Sequence, residues 1–371
     1  MRDIMGVIVT NDEKIPPVTD KRAIMALPIA GRYRVIDFIL SNMANAGITN
    51  VGVITDSNYR SLMDHIKSGS PWDLDRKDQG LNILPPNLAD LDYGRKRGDI
   101  DMLWGAKNYF KKSNQTYVIL SLGNTLLNID FQDVVESHIE NQSDITVIYK
   151  DMTGADEKDL SRYTLIDLDE DNRVTGIESK PQYPKTAYAS LELYVMEKAL
   201  LESIIDECYS RGDHDFIKDA LSQKMNGMII NGYKFDGYCD KIDSLKSYFD
   251  NSMAFLDENH RKELFNSENP IYTKNKDLSP AKYGENASVE NSLISNGCII
   301  EGTVKNSVLS RGVIVKKGAV VKNSIIMQES VIEEKASLDH VIFDKEVKIT
   351  ENKKLIGQET FPVAITKGTV I

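Results

Sequence analysis

The sequence predicts an α/β domain built on a doubly wound mixed sheet, followed by a left-handed parallel β-helix. Two patterns carry that prediction. Up to about residue 256, short β-branched runs alternate with helical segments. From about Ala287, aliphatic residues recur every five or six positions with small residues at the turns between them. At 371 residues the chain is also too long for one ordinary core, so two domains are expected.

In order along the chain, Ile4–Thr10, Val51–Thr55, Tyr117–Leu122 and Ile145–Tyr149 have the length and apolarity of buried parallel strands. Val35–Ala46 places apolar residues at helical spacing and stops at Gly47, a favourable C-cap residue. Phe131–Glu140 reads as a second such helix. Ligands on sheets of this kind sit at the carboxyl ends of the strands. From about Ser161 to Met196 the pattern changes to hairpin-like strands, and helices follow around 197–206 and 242–256. Residues 257–286, with Pro270 and Pro280, read as a linker. The expected division is therefore 1–256, 257–286 and 287–371.

In the last stretch the aliphatic ladder runs Val289, Ile294, Ile300, Val304, Leu309, Val315, Val321, Ile326, Ile332. Ser292, Gly297, Gly302, Ser307, Gly312, Gly318 and Ser324 stand at the turns. This is an imperfect hexapeptide repeat, in which each coil stacks its aliphatic residues on the next. An ordinary β-sandwich with short strands is the alternative; the persistence of the ladder favours the solenoid. An edge coil of such a solenoid can pair with a neighbouring chain, so self-association is expected.

Composition narrows the function. Hydrophobic content of 41% and charged content of 27% are globular values. A net charge of −11 disfavours nucleic acid or an anionic membrane as the main partner. Cys208, Cys239 and Cys298 are far apart with no CxxC pair, which fits reduced thiols and a cytoplasmic location. The five histidines are equally dispersed, so no zinc-type spacing exists and no metal is expected. The apolar run after Arg2 and Asp3 is too short for a signal or a membrane span.

Several strings are more specific. They are GRYRVIDFILSN at 31–42, SGSPWDLDR at 68–76, LPP at 84–86, KP at 180–181 and ASLELYVM at 189–196. DF-KD around Asp215–Asp219, IDSL at 242–245 and SPAKY at 279–283 extend them. Together with the hexapeptide tail they resemble the glucose-1-phosphate adenylyltransferase (ADP-glucose pyrophosphorylase) family over nearly the whole chain. Within it, they resemble the non-catalytic GlgD-type subunits of glycogen-making bacteria. The resemblance implies a nucleotidyltransferase-like first domain.

The departures from the family pattern matter most. Active members carry a GGxGxRL loop after the first strand, where glycines let the backbone approach the triphosphate of ATP. Here the stretch reads VTNDEKI, so Val9 and Thr10 replace the paired glycines, Asp12 the third, and Lys14 the arginine. Lysine keeps the charge but loses the bidentate geometry. The lysine of the family's RAKPA aligns with Ile24. The metal aspartate of SGDH aligns with Asn124 in SLGNT, and asparagine gives up the charge that a hard cation needs. The glutamate of EKP aligns with Ser179, and the glycine of ASMGIY with Glu192. Asp240 can replace the second metal aspartate if the gap is placed favourably; otherwise Tyr238 occupies the position.

What the resemblance retains is Lys180, matching a sugar-phosphate lysine, Ser190 at a sugar contact, and Gly98 and Asp101 of the GTAD turn. These form a remnant sugar-phosphate pocket. Arg32 and Arg34, with Lys21 and Arg22 near in sequence, form a basic cluster suited to an anionic effector. The structural alternative is that Lys180 and the arginines are solvated or anchoring residues. Trp72 and the Pro85–Pro86 turn read as packing residues.

The resulting expectation is a regulatory or structural subunit with no cofactor of its own. It would pair with a Mg²⁺-requiring catalytic adenylyltransferase subunit, as a heterotetramer. A weakly active adenylyltransferase is the runner-up. A hexapeptide-repeat acyltransferase is disfavoured, because His340 is the only histidine of the repeat region.

Overall fold

The structure is a computed structural model that describes residues 3–10, 13–55, 58–86 and 98–371. Contacts divide the chain into two compact units, one of residues 1–12 and 39–239, the other of residues 13–38 and 240–371. The second unit therefore gathers an early excursion of the chain together with its last third.

The first unit is a nine-stranded mixed sheet with helices packed against it. Its strands are β1 (Ile4–Val9), β2 (Asn50–Ile54), β3 (Gly80–Leu84), β4 (Tyr117–Ser121) and β5 (Ile145–Asp151). The later ones are β6 (Thr164–Leu168), β7 (Val174–Ser179), β8 (Tyr188–Glu197) and β9 (Ile230–Lys234). The order β7-β6-β8-β4-β1-β2-β3 forms the main path, and β5 joins β8 to β9. β1 pairs in parallel with both β2 and β4, as the buried β-branched runs predict. β8 runs antiparallel to β4 and β5 and makes the sheet mixed. Met5, Val7, Val118, Leu120, Val147 and Tyr194 lie in one buried cluster with Phe110 and Phe216.

Helix α1 (Val35–Asn45) ends just before Gly47, whose φ of +73° is the left-handed conformation that stops a helix without a Cβ penalty. α2 (Asp99–Gly105), α3 (Phe131–Glu140) and α4 (Lys198–Arg211) belong to the first unit. Asp130 caps α3 by accepting from the Gln132 amide at 2.8 Å. Trp72 is buried and its Nε1 donates to Ser41 Oγ at 3.1 Å, so it is a packing residue. Among the described residues no helix is long and apolar enough to cross a membrane.

The second unit is a left-handed β-helix made of three parallel five-stranded sheets. Successive coils stack in register, for example Ile300 on Val315 and Val304 on Val321. The ladder residues Ile300, Val304, Leu309, Val315, Val321, Ile326 and Ile332 are all fully buried. Serines do stand at the corners: the amides of Ser307, Ser324 and Val341 donate to Ser292, Ser307 and Ser324 Oγ at 3.1 Å each. A second corner ladder was not visible in the repeat pattern. Asn291, Asn306 and Asn323 turn the backbone at φ of +40°, +44° and +45°, and their side-chain amides bond coil to coil. Asparagine is the side chain that tolerates this conformation best after glycine.

The excursion 13–38 packs on this solenoid. Gly31, at φ +76°, lies where a Cβ would collide with Ser295 Oγ, so GRYR needs glycine for close approach. Tyr33 and Phe38 join Phe255 and Phe265 in an aromatic cluster, with Tyr33 and Phe265 centroids 4.9 Å apart. Helix α5 (Leu245–Ala254) belongs to the same unit, and Tyr248 donates its hydroxyl to Pro28 O at 2.7 Å.

Candidate functional site

In the first unit the residues of interest gather where β4 meets β8. β8 bulges between Ser190 and Leu193, and the residue at the bulge is Glu192. Its φ is +56°, a conformation that glycine takes freely and a glutamate takes at a cost. The bulge is held by Leu122 N donating to Glu192 O at 3.0 Å and by Glu192 N donating to Ser190 Oγ at 3.2 Å. The Glu192 side chain lies over Gly123: a Cβ at Gly123 would stand 3.2 Å from both Glu192 Cβ and Oε2. Asn124, 1% exposed, follows immediately. The carboxylate of Glu192 thus sits directly beside the Gly123–Asn124 turn.

Other carboxylates add to it. Asp99, at the start of α2, accepts from the amides of Phe216 and Ile100 at 2.8 and 2.9 Å. Loss of water around Asp99 raises its pKa to about 7, with Asp215 and Glu192 adding in the same direction. Burial likewise drives the Tyr194 hydroxyl well above its ordinary range, helped by Glu192, Asp99 and Asp215. These carboxylates lie close enough to act on one another's charge, a neighbourhood that disfavours an added anion.

The remaining predicted residues fall as follows. Val9 and Thr10 are buried at the end of β1, and Thr10 N donates to Ile54 O at 2.9 Å. Asp12 lies outside the described residues. Lys14 is exposed, and Ile24 is buried in a short 3-10 turn of the second unit. Ser179 ends β7 opposite Thr164. Lys180 follows at φ +48°, its amide donating to Tyr163 O and its side chain exposed. Ser190 is buried and supports the bulge.

Gly98 and Asp101 are brought together at the head of α2. Gly98 N donates to Asp101 Oδ2 at 3.0 Å, and the same oxygen lies 2.7 Å from His214 Nδ1. A Cβ at Gly98 would overlap His214 O, so this glycine marks close packing of two chain segments. Asp101 is a capping and anchoring carboxylate in this arrangement.

At the positions of the two expected metal carboxylates, Asn124 offers a neutral amide and Asp240 accepts from Asn251 Nδ2 at 3.0 Å. Among the described residues no group of three or more His, Cys, Asp or Glu side chains could hold a metal.

The second unit contains a cationic patch that the sequence shows only in part. Arg22 is buried, and its Nη2 reaches Asp344 Oδ1 and Oδ2 at 2.8 and 3.0 Å. It is an internal anchor, so its guanidinium is committed within the fold. Arg34 and Arg22 both lie close enough to Lys345 to act on its charge. Burial, then Arg34 and Arg22, lower the Lys345 pKa to about 7, with Lys367 adding to the effect. Arg32 is exposed, and its guanidinium lies 4.8 Å from the Tyr33 ring centre. Arg32 also adds to the effect of burial in lowering Arg311. Lys345, Lys367 and Arg311 were not visible as site residues, because more than 270 residues of chain separate them from Arg32 and Arg34.

A nucleotidyl transferase family model matches residues 12–258, and a GlmU-like C-terminal hexapeptide model matches residues 278–361. The chain is 36% identical over 372 aligned residues to the glycogen biosynthesis protein GlgD of Bacillus subtilis (strain 168), covering 99% of this chain and 96% of that one. It is 40% identical over 319 residues to a GlgD of Geobacillus stearothermophilus, covering 85% and 82%. It is 32% identical over 308 residues to a glucose-1-phosphate adenylyltransferase of Geobacillus stearothermophilus, covering 82% and 79%.

Proposed function

Because the chain belongs to the glucose-1-phosphate adenylyltransferase family, on its GlgD branch, we propose that it serves glycogen biosynthesis as a regulatory or structural subunit. It pairs with a catalytic, Mg²⁺-requiring adenylyltransferase subunit in a hetero-oligomer, a tetramer in the simplest arrangement, and alters how that subunit makes ADP-glucose. Cys208, Cys239 and Cys298, none of them in a disulfide, agree with a cytoplasmic setting.

The observation that carries this reading is Glu192. Its backbone keeps a glycine-like conformation, yet its carboxylate fills the space beside Gly123 and Asn124. Nucleotidyl transfer depends on positioning and on neutralising phosphate charge. Here an anion stands where charge would have to be neutralised, and the neighbouring amide of Asn124 does not bring the cation that would compensate it. The fold around the site is kept while its chemistry is lost.

The cationic patch supports the regulatory part of the reading. Arg34 lies near the part-buried Lys345, whose charge is disfavoured first by burial and then by its cationic neighbours, and a phosphorylated metabolite bound there would stabilise that charge. An effector acts by binding one state of the oligomer better than the other.

The test is ADP-glucose formation from ATP and glucose 1-phosphate with Mg²⁺, measured on this chain alone, on the catalytic partner alone, and on the two co-expressed. No activity alone, with a changed rate or effector response in the mixture, supports the proposal. Substantial Mg²⁺-dependent activity of this chain alone would instead establish the runner-up, an adenylyltransferase with a rebuilt site.

A further inference from the structure

One corner of the β-helix repeats the dipeptide Asn–Ser in successive coils, at Asn291–Ser292, Asn306–Ser307 and Asn323–Ser324. Asparagine is chemically labile, because the backbone nitrogen that follows it can attack its side-chain amide. The attack needs that nitrogen unbonded and the peptide free to turn, so hydrogen bonds to the peptide oppose it.

Two of the three corners are held in this way. Ser307 N donates to Ser292 Oγ, and Ser324 N to Ser307 Oγ, each at 3.1 Å. The asparagine amides are held as well, Asn306 N donating to Glu290 O and Asn323 N to Lys305 O, both at 3.1 Å. Each acceptor lies one coil earlier. Asn291 and Ser292 follow the strand Ser288–Glu290, the first of its sheet, and have no earlier coil to donate to. Among the described residues, neither of their amides has a hydrogen-bond acceptor. Asn291 is exposed and Ser292 half-buried, whereas Ser307 and Ser324 are fully buried.

We infer that Asn291 is a site of spontaneous deamidation, selected by its place at the open start of the ladder. The Ser292 backbone nitrogen gives up its proton to water and bonds to Asn291 Cγ, and the Cγ–Nδ2 bond breaks with release of ammonia. Water then opens the cyclic imide at either carbonyl, leaving aspartate or isoaspartate. Nothing is oxidised or reduced, and water is the only co-reactant. The change reaches the next coil. Asn291 Nδ2 donates to Asn306 Oδ1 at 2.9 Å. A carboxylate at 291 has no proton to donate and would set two acceptors face to face, so the first coil loses its side-chain link to the second at this corner. The inference goes beyond the regulatory reading and does not rest on it.

A neighbouring pair separates bonding from intrinsic reactivity. Asn296 is followed by Gly297, the residue that shields its own nitrogen least, yet Gly297 N donates to Ser279 O at 2.7 Å. Asn296 is therefore held despite its glycine.

The experiment is peptide mapping by mass spectrometry on the full chain, kept folded in mildly alkaline buffer and sampled over weeks, beside Ser292→Ala. Asn291 should convert about tenfold or more faster than Asn306 and Asn323, the effect of the hydrogen bonds that must open first at those corners. Asn296 should also lag behind Asn291. In denaturant, where these bonds are gone, the three Asn–Ser sites should convert at like rates. Ser292→Ala removes the acceptor of Ser307 N and should speed conversion of Asn306 by about fivefold, while Asn323 keeps its rate. Hydrogen exchange of Asn291→Asp reads the lost link: amides of residues 303–308 should exchange faster than in the parent. Equal conversion of the three sites in the folded chain overturns the inference, and so does an Asn296 that converts ahead of Asn291. Unchanged exchange in Asn291→Asp removes the structural consequence. The comparison among sites is made on the unaltered chain, so it stands even if a variant fails to fold.

Discussion

Arg22 Nη2 meets both carboxylate oxygens of Asp344, at 2.8 and 3.0 Å, with side chains only 3% and 5% exposed. The pair joins the early excursion 13–38 to a coil of the β-helix, so a contact across 322 residues of sequence holds the second unit together. Burying two charges is costly, and removing one partner leaves the other uncompensated. Arg22→Ala should therefore destabilise the second unit by about 3–5 kcal/mol, while Arg22→Met combined with Asp344→Leu should lose much less. Urea unfolding followed on both variants decides it. A single variant as stable as the parent would show that the pair does not hold the excursion in place.

Lys345 gives the cationic patch a measurable sign. Its folded pKa, about 7, lies below the unfolded value near 10.5, so the folded state binds fewer protons between these values. Its contribution to stability accordingly rises as pH increases from about 7 toward 10.5. A bound anion reverses the preference and favours the ammonium form. Inorganic phosphate binding at pH 8 should be accompanied by proton uptake, read by calorimetry in two buffers of different ionisation enthalpy. Lys345→Met should weaken that binding by about tenfold or more, the worth of one charge-assisted hydrogen bond. Identical heats in both buffers would remove Lys345 from the anion site.

Glu192→Gly should leave the fold within about 1 kcal/mol of the parent, because glycine adopts the bulge conformation without strain. It also takes the carboxylate away from Gly123 and Asn124. Saturable binding of glucose 1-phosphate is expected in this variant and not in the parent. Glu192→Gln, which keeps the bulk and removes the charge, separates blockage from repulsion. If the folded glycine variant is as silent as the parent in titration calorimetry, Glu192 is not the obstacle.

Asp99 predicts the opposite pH trend from Lys345. Its folded pKa is raised from 3.8 to about 7, so the folded state binds the extra proton. Stability falls as pH rises from about 4 to about 7, and the loss is complete above that. Asp99→Asn keeps an oxygen acceptor for the Phe216 and Ile100 amides and carries no charge. At pH 8 it should be more stable than the parent, on the order of 2 kcal/mol once partial exposure is allowed for, and no more stable at pH 4. Thermal melts of the two proteins at both pH values test this. An equal gain at both would mean that charge is not the cause.

Much of the fold was legible because periodicity reports burial directly. The runs at Ile4 and Tyr117 are continuous and β-branched, and they became neighbouring buried parallel strands. The solenoid was legible for the same reason: one inward residue recurs per side of each coil, at Val304, Val321 and Leu338, for instance. Glu192 was legible only by matching a string. Its conformation depends on a bulge between β8 and its neighbours, which no local pattern encodes. The corner asparagines look like ordinary turn residues until the stacking register aligns them.

The basic cluster shows where local reading stops. Arg22, Arg32 and Arg34 are close in sequence, and charge alone cannot tell them apart. The tertiary structure commits Arg22 to Asp344, exposes Arg32, and sets Arg34 beside Lys345.

By itself, then, the sequence determined the two architectures, since hydrophobic period is a local property of the chain. Only the tertiary structure decided which charges are paired and which are crowded together. Those outcomes depend on distances between residues far apart in sequence and on how much water surrounds them, and these together set electrostatic energy.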